Sequence, residues 1–289
     1  MKRKIVGFGL SGLIGKPLVE KLAVRYECVL LKHTVLRNSS DEGAWQKELE
    51  GAYAVINLSG EPIAGKRWTA IQKKELRDSR LNTTRALVDA IAKSKSKPEV
   101  FLNASAIGYY GPRGDEALEE SAAAGQGFLA ALCTEWEKEA LRAELLGVRT
   151  VLLRTGIVLS KEGGALAKML PPFQFFIGGS LGSGKQMMSW VHIDDEVNAI
   201  VKALEDPGIR GPVNLTAPSA VSMREFAKTL GKVLKRPSCF PVPGIALKLL
   251  LGEMSEMLLT GQNVCPRKLL THGFQFQFPA LKKALQDLV

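Results

Sequence analysis

The sequence predicts an α/β protein: a doubly wound parallel sheet with a smaller, mostly helical lobe in the carboxyl-terminal part. Three observations lead to this class. Short apolar runs alternate with amphipathic helical patterns, as parallel strands joined by crossover helices require. The first apolar run leads directly into a glycine-rich turn. Beyond about residue 163 this alternation gives way to a stretch rich in proline and glycine.

The apolar runs define six candidate strands, and the amphipathic patterns define three candidate helices. The strands are Ile5 to Phe8, Cys28 to Leu31, Val55 to Leu58, Val100 to Ala104, Thr150 to Leu153 and Val213 to Leu215. The helices are Lys16 to Val24, Asp78 to Lys93 and Phe128 to Leu146. Gly147 follows the third helix, and we expect it to end that helix as a left-handed cap.

This order of elements predicts two regions. Residues 1–162 form the sheet domain, to which residues 188–215 return, and residues 163–289 form a loop insertion and the lobe. Two prolines at 171–172 and the glycines from 178 to 184 indicate the loop, and the residues after Asn214 predict helices with proline breaks. We expect the lobe to cover the carboxyl ends of the strands, where open α/β sheets bind ligands.

Composition and length exclude several classes of protein. The 289 residues, 46% of them hydrophobic, can bury a full core. No apolar run approaches the roughly 18 residues of a membrane span. The first residues resemble a secretory signal, but Lys16 and Pro17 interrupt the apolar stretch and no cleavage site follows. The four cysteines lie far apart in the sequence, which is typical of reduced thiols in a cytoplasmic protein.

The formal net charge is +10, but the lysines and arginines are spread along the chain without interleaved aromatic residues. This pattern argues against a nucleic-acid partner and favours the attraction of anionic small ligands. We expect a small-molecule substrate, no membrane partner, and a monomer or homodimer.

The glycine-rich turn is the strongest functional signal. Glycines at positions 9, 12 and 15 give the spacing G-x-x-G-x-x-G between a strand and a helix. Gly9 would allow the tight reversal, Gly12 would let a pyrophosphate approach the backbone, and Gly15 would let the helix pack on the strand. The predicted cofactor contacts in this turn are Gly9, Ser11, Gly12, Leu13, Ile14 and Gly15. A turn that is glycine-rich for purely steric reasons is the alternative.

Five further segments, in order along the chain, resemble the YfcH-type epimerase-family proteins, which are atypical extended short-chain dehydrogenases with a Rossmann fold. They are Asn57 to Ile63, Lys66 to Trp68, Ser105 to Gly111, Leu153 to Leu159 and Ser189 to Asp195. Pro266 to Lys268 and Gly273-Phe274 resemble that family's C-terminal domain of unknown function. The resemblance implies a nicotinamide cofactor, and some members of the family carry a cell-division-inhibitor label.

Several residues at predicted strand ends could border such a cofactor. The backbone of Asn57, Leu58, Ser59 and Gly60 could lie close to an adenosine or ribose, although an ordinary strand-to-loop turn would explain the same residues. Arg154 could border the nicotinamide and substrate, or could be a tethering ion pair.

His192 stands beside two acids, Asp194 and Asp195, at a predicted helix start. We interpret the two carboxylates as capping the helix and orienting the histidine ring, with a catalytic or metal-binding role as the alternative, and we expect no metal site.

The second strand is expected to end near the residue that selects between the two nicotinamide cofactors. Residues 29–37 contain no acid but do contain Lys32, His33 and Arg37, which favours a 2′-phosphate and therefore NADP(H). In the resembled family an arginine lies about nineteen residues after the last glycine. Thr34 occupies that place here, so either three residues are inserted before Arg37, or Lys32 and His33 substitute for the arginine.

The usual catalytic pair of short-chain dehydrogenases, Tyr-x-x-x-Lys, is absent from the sequence, because none of the four tyrosines has a lysine four residues later. Cys133 to Glu137 stand where the pair is expected. Ser105 could bind a substrate carbonyl, and Tyr109 or Tyr110 could serve as the acid, with Glu137 or Cys133 as the next candidates. Alternatively, the two tyrosines only pack over the cofactor.

Two functions therefore stay open. The first is an NADP(H)-dependent oxidoreductase or epimerase acting on a small carbonyl or sugar-like substrate. The second is an NADP(H) sensor without turnover, with a possible link to cell division that rests on the family label alone.

Overall fold

The computed structural model describes residues 2–32 and 43–289. The strands are β1 Arg3–Phe8, β2 Tyr26–Leu31, β3 Ala54–Asn57, β4 Val100–Ala106, β5 Ala117–Leu118, β6 Arg149–Thr155, β7 Ile157–Ser160, β8 Met187–Met188, β9 Trp190–His192, β10 Gly211–Leu215, β11 Val221–Ser222 and β12 Asn263–Val264. The helices are α1 Gly15–Ala23, α2 Ala44–Lys47, α3 Ala70–Lys93, α4 Phe128–Leu141, α5 Gly164–Gln174, α6 Ile193–Glu205, α7 Met223–Leu234, α8 Gly244–Leu251, α9 Glu256–Leu259, α10 Arg267–Thr271 and α11 Leu281–Leu288.

Six strands form one parallel sheet in the order β10-β6-β4-β3-β1-β2. The chain runs from β1 to the edge strand β2 and then returns to β3 on the other side of β1. The connections after β1 and β3 therefore diverge at the carboxyl edge of the sheet. In open α/β sheets this switch point is where ligands bind.

Successive side chains of a strand point to opposite faces of the sheet. Helices pack on both faces and bury these side chains. On β1, Ile5 belongs to the apolar core that includes Leu18 of α1 and Ile200 of α6. The neighbouring Val6 belongs to the core on the other face, which includes Leu87 of α3. The predicted doubly wound fold is confirmed.

The helices depart from the sequence prediction at three places. α3 begins at Ala70 rather than at 78, since the Thr69 side chain accepts a hydrogen bond from the Gln72 N–H at 3.1 Å and so caps it earlier. α4 ends at Leu141, and a short 3₁₀ turn precedes Gly147, which has the expected left-handed φ of +82°. The expectation of a loop is wrong over α5, whose two prolines lie in its last turn, so the helix ends shortly after the two positions that lack an N–H donor.

The carboxyl-terminal lobe packs against the carboxyl edge of the sheet. Its apolar core joins Leu159 of β7 and Trp190 of β9 to Phe226 of α7 and Leu285 of α11. The lobe also reaches the glycine turn. A Cβ atom placed on Gly164 would lie 3.2 Å from the side chain of Leu13.

Two carboxylates join the sheet domain to the last part of the chain. Asp195 in α6 accepts hydrogen bonds from the backbone N–H groups of Gln277 and Phe278, at 2.8 and 2.9 Å. Glu120 accepts a hydrogen bond from the N–H of Lys268 at 3.1 Å. Within the described residues, no helix combines the length and the apolar character needed to cross a bilayer.

Candidate functional site

The glycine turn lies at the switch point of the sheet. Gly9 has a φ of +74°, a left-handed conformation that favours glycine. A Cβ atom on Gly9 would lie 2.5 Å from the backbone nitrogen of Ser59, so the turn packs directly on the end of β3. Any side chain at position 9 would force the turn away from β3.

The other two glycines of the motif serve different purposes. A Cβ atom on Gly15 would lie 2.3 Å from the Cα atom of Leu10, so Gly15 allows the first turn of α1 to close on the glycine turn itself rather than on the strand. Gly12 is exposed, and the nearest atom to an added Cβ is the Gly9 carbonyl oxygen at 3.5 Å. The space in front of Gly12 is therefore open.

The turn also has the electrostatics of an anion site. The N–H groups of Leu13 and Ile14 donate no hydrogen bond to any described residue. They precede α1, whose first turn contains no acidic residue, so its partial positive charge is not neutralised there. Free N–H groups at a helix N-terminus beside open space fit a pyrophosphate group.

The end of β3 shapes the neighbouring turn through a buried amide. The Asn57 side chain donates to Asn103 Oδ1 at 2.7 Å and to Thr84 Oγ1 at 3.2 Å, and it accepts from the Ser59 N–H at 3.2 Å. Its side chain is therefore occupied within the protein. Leu58, Ser59 and Gly60 follow it beside the glycine turn, and their contact with a ribose or adenosine stays a prediction.

The basic residues expected to select the cofactor are only partly described. Lys32 is exposed just after the carboxyl end of β2. His33 and Arg37 lie outside the described residues. The choice among these three bases therefore stays a prediction.

A buried polar network occupies the region where a catalytic pair is expected. Glu137 of α4 accepts hydrogen bonds from Arg154 Nε and Nη2, both at 2.8 Å, and from Ser105 Oγ at 2.6 Å. Arg154 Nη1 donates to the Tyr110 hydroxyl at 2.9 Å, and that hydroxyl donates to Asn214 Oδ1 at 2.7 Å. All five side chains are buried.

This network argues against three predicted roles. Tyr110 is fully buried and its hydroxyl is bonded on both sides, so it is not placed to act as an acid; burial also raises its pKa. The Ser105 hydroxyl donates to Glu137 and is not free to bind a substrate carbonyl. Arg154 forms the tethering ion pair with Glu137 that was the alternative to a cofactor contact. Burial alone would lower the pKa of Arg154, but Glu137 outweighs it and the pKa is raised.

Tyr109 is the remaining candidate acid among the three predicted catalytic residues. It is partly exposed, and its hydroxyl makes no hydrogen bond to a described residue. The Arg154 guanidinium lies over its ring, with the Cζ atom 3.5 Å from the ring centroid. Cys133, a next candidate, is buried, and its pKa is raised to about 12 by burial and by the charge of Glu137. Its thiol is neutral at physiological pH.

Glu196 of α6 is a feature that sequence reasoning missed. Its carboxyl group is completely buried, and Oε1 accepts a hydrogen bond from Thr155 Oγ1 at 2.8 Å. Its second oxygen has no partner among the described residues. Burial raises the pKa of Glu196 to about 8. An acid in the first turn of a helix is expected at the surface, so no sequence pattern indicated that this carboxyl group is buried.

His192 caps α6 with its own ring. Nδ1 accepts a hydrogen bond from the Asp194 N–H at 3.1 Å, and the ring stacks on Phe278 with a centroid separation of 3.8 Å. The two acids were expected to cap the helix, but the histidine ring does so instead. Asp195 instead binds the backbone of the lobe.

The six-stranded parallel sheet and the glycine turn define a Rossmann-like protein of the short-chain dehydrogenase type. A model of the NAD dependent epimerase/dehydratase family matches residues 6–215, and one of a domain of unknown function, DUF1731, matches residues 242–288. The chain belongs to the NAD dependent epimerase/dehydratase family. The resemblance seen in the sequence motifs, including the carboxyl-terminal domain, is confirmed.

Relatives and solved structures agree with this assignment. Epimerase family protein SDR39U1 homolog, chloroplastic, of Arabidopsis thaliana is 40% identical over 300 residues, covering 97% of this chain and 85% of that protein. Epimerase family protein YfhF of Bacillus subtilis is 41% identical over 251 residues, covering 86% and 82%. The crystal structure of human epimerase family protein SDR39U1 (isoform 2) with NADPH has a TM-score of 0.89 at 33% identity, covering 99% of this chain and 98% of that one.

A more distant structure shares the fold alone. UDP-glucose 4-epimerase from Thermotoga maritima, crystallised with UDP-glucose, has a TM-score of 0.79 at 16% identity and covers 99% of this chain and 97% of that one.

Proposed function

We propose that this protein binds NADP(H) between the glycine turn and the end of β3 and acts as an oxidoreductase or epimerase on a small carbonyl or sugar-like substrate. The observation that carries the proposal is the open backbone at Gly12 beside the free N–H groups of Leu13 and Ile14. The human relative crystallised with NADPH supports the choice of cofactor.

Separate groups of residues would bind separate parts of the cofactor. The N–H groups of Leu13 and Ile14 would hold the pyrophosphate, and the backbone from Leu58 to Gly60 would lie against the adenosine. A base among Lys32, His33 and Arg37 would pair with the 2′-phosphate. When bound, the nicotinamide supplies or accepts a hydride.

Proton transfer would fall to Tyr109. The Arg154 guanidinium lies over the face of the Tyr109 ring, where its positive charge is attracted to the electron-rich ring and holds the side chain in position. The network around Glu137 holds that guanidinium in place. Glu196 keeps a proton at neutral pH and orients Thr155, which is partly exposed at the carboxyl end of β6.

The binding step is tested with Gly12→Val. The added side chain would fill the open space in front of the turn, and we expect calorimetry to show at least a hundredfold loss of NADPH affinity. Gly244→Val in the lobe is the control, because a Cβ there makes an ordinary 3.4 Å contact with Leu259. Unchanged affinity in a folded Gly12→Val protein would refute the proposed binding mode.

A second candidate function is an NADP(H) sensor without turnover. It is favoured by the network in which hydrogen bonds join Ser105 to Glu137, Glu137 to Arg154, and Arg154 to Tyr110, where a catalytic pair is expected. The two functions are separated by following the absorbance of NADPH with a panel of carbonyl compounds. Turnover that falls about a hundredfold in Tyr109→Phe, with unchanged NADPH affinity, supports the enzyme. Tight NADPH binding without turnover on any compound supports the sensor.

A further inference from the structure

The carboxyl-terminal lobe exposes large apolar side chains in two neighbouring segments, the loop after α5 and the stretch that runs from Phe240 through helix α8. In the loop after α5, Phe175 is 74% exposed to solvent and Ile177 is 60% exposed. In helix α8, Ile245 is 74% exposed and Leu249 is 75% exposed. We call the exposed apolar residues of these segments the lobe surface; they are Phe175, Phe176, Ile177, Phe240, Ile245, Leu249 and Leu250. Apolar exposure on this scale marks an interaction site.

The segments of the lobe surface lie side by side. The N–H of Phe240 donates to the Gly178 carbonyl at 3.1 Å, and the N–H of Gly182 donates to the Val242 carbonyl at 2.9 Å. α8 begins two residues after Val242. Along α8, Ile245 and Leu249 are one turn apart and so share a face.

The two stretches of sequence that contain the lobe surface carry lysines and arginines but no acid. No Asp or Glu lies between Glu162 and Asp194 or between Glu225 and Glu253, the two stretches that contain the surface. The same stretches contain seven cations, which are Lys168, Lys185, Lys228, Lys232, Lys235, Arg236 and Lys248. One of them, Arg236, lies over the ring of Phe176, with its Cζ atom 4.4 Å from the centroid. A cationic side chain thus lies in contact with an apolar side chain of the lobe surface.

We propose that the lobe surface docks on an anionic lipid bilayer, with its apolar side chains in the headgroup region and its cations on the lipid phosphates. Such a surface needs both apolar insertion and positive charge, and this one has both. A second copy of the chain would bring the lysines and arginines of these two stretches close to one another. Nucleic acid would leave the aliphatic side chains in water. The expected absence of a membrane partner rested on spanning segments, which a peripheral contact does not require.

The proposal is tested by flotation of the full chain with vesicles of phosphatidylcholine alone or with about a third phosphatidylglycerol, a composition chosen for its negative surface potential. We expect binding to the anionic vesicles only, and weaker binding as salt is raised. Phe175→Ser with Leu249→Ser, and separately Arg236→Glu with Lys248→Glu, should each weaken binding at least about tenfold.

Matched controls lie on the sheet domain. Leu145→Ser removes a side chain that is 87% exposed, and Lys138→Glu reverses an exposed cation on α4; both should bind the vesicles like the unchanged protein. Thermal melting checks that each variant folds. Equal loss in the controls, or equal binding to both vesicle types, would overturn the proposal. A dimer that the Phe175 and Leu249 substitutions dissociate would assign the surface to a second copy. Binding to polyglutamate that the Arg236 and Lys248 substitutions abolish, without binding to anionic vesicles, would assign it to an acidic protein.

Discussion

Replacing the buried Glu196 by glutamine should change how the stability of the protein depends on pH. In the folded protein this carboxyl group has a pKa of about 8, against 4.5 for an exposed glutamate. Glutamine keeps an acceptor for Thr155 Oγ1 and never ionises. The second polar atom of residue 196 is unpartnered in either case, so its cost does not vary with pH.

The direction of this pH dependence follows from which state, folded or unfolded, ionises at the lower pH. Below the unfolded pKa of 4.5 the carboxyl group is protonated in both states, so its ionisation does not change the free energy of unfolding. As pH rises from there to about 8, only the unfolded chain ionises, which stabilises it and lowers the free energy of unfolding. At about 1.4 kcal/mol per pH unit, the loss approaches about 3 kcal/mol at pH 7 and about 5 kcal/mol above pH 8.

The assay is urea unfolding at pH 5 and at pH 8.5, followed by far-UV circular dichroism. Relative to the unchanged protein, Glu196→Gln should be more stable at pH 8.5 by about 4 kcal/mol beyond any difference at pH 5. Glu144→Gln is the control, because Glu144 is exposed and its replacement should leave the pH dependence unaltered. Parallel pH profiles for Glu196→Gln and the unchanged protein would show that Glu196 is ionised or solvated in the fold.

Three further outcomes are expected. Tyr110→Phe should lower the free energy of unfolding by about 1–3 kcal/mol in urea, because Asn214 then loses a buried hydrogen bond; an unchanged midpoint would contradict the network. Arg37→Ala should weaken NADPH at least about tenfold in calorimetry while NADH binding is unchanged, and equal losses would exclude a 2′-phosphate contact. At pH 8 a maleimide should label the exposed Cys239 within minutes and leave Cys133 unlabelled, as peptide mapping would show; equal labelling would contradict the burial of Cys133.

The fold was largely predictable because its determinants are local. Apolar runs mark the strands, and the conformation of Gly9 depends on a few adjacent residues and on the end of β3. The start of α3 was missed because its first two turns are rich in charged residues and lack a clear apolar period. The helix at α5 was missed because two prolines suggested a loop, although they lie in its last turn.

The candidate site was predictable only in part. The glycine turn is one continuous segment, so the spacing of its glycines was enough to predict its conformation. The network of Ser105, Glu137, Arg154 and Tyr110 joins two strands, a helix and a 3₁₀ turn, and its hydrogen bonds depend on which side chains meet in the folded protein. Burial of Glu196 likewise depends on the packing of α6 against the sheet, which no short motif encodes.

The carboxylates of Asp195 and Glu120 have a consequence for how the chain can be divided. They accept three backbone N–H groups from the last part of the chain, those of Lys268, Gln277 and Phe278. A fragment that stops at residue 241 would leave these acids without those donors. These hydrogen bonds cross the boundary between the two matched sequence families, and we therefore expect the two parts to unfold together in one transition.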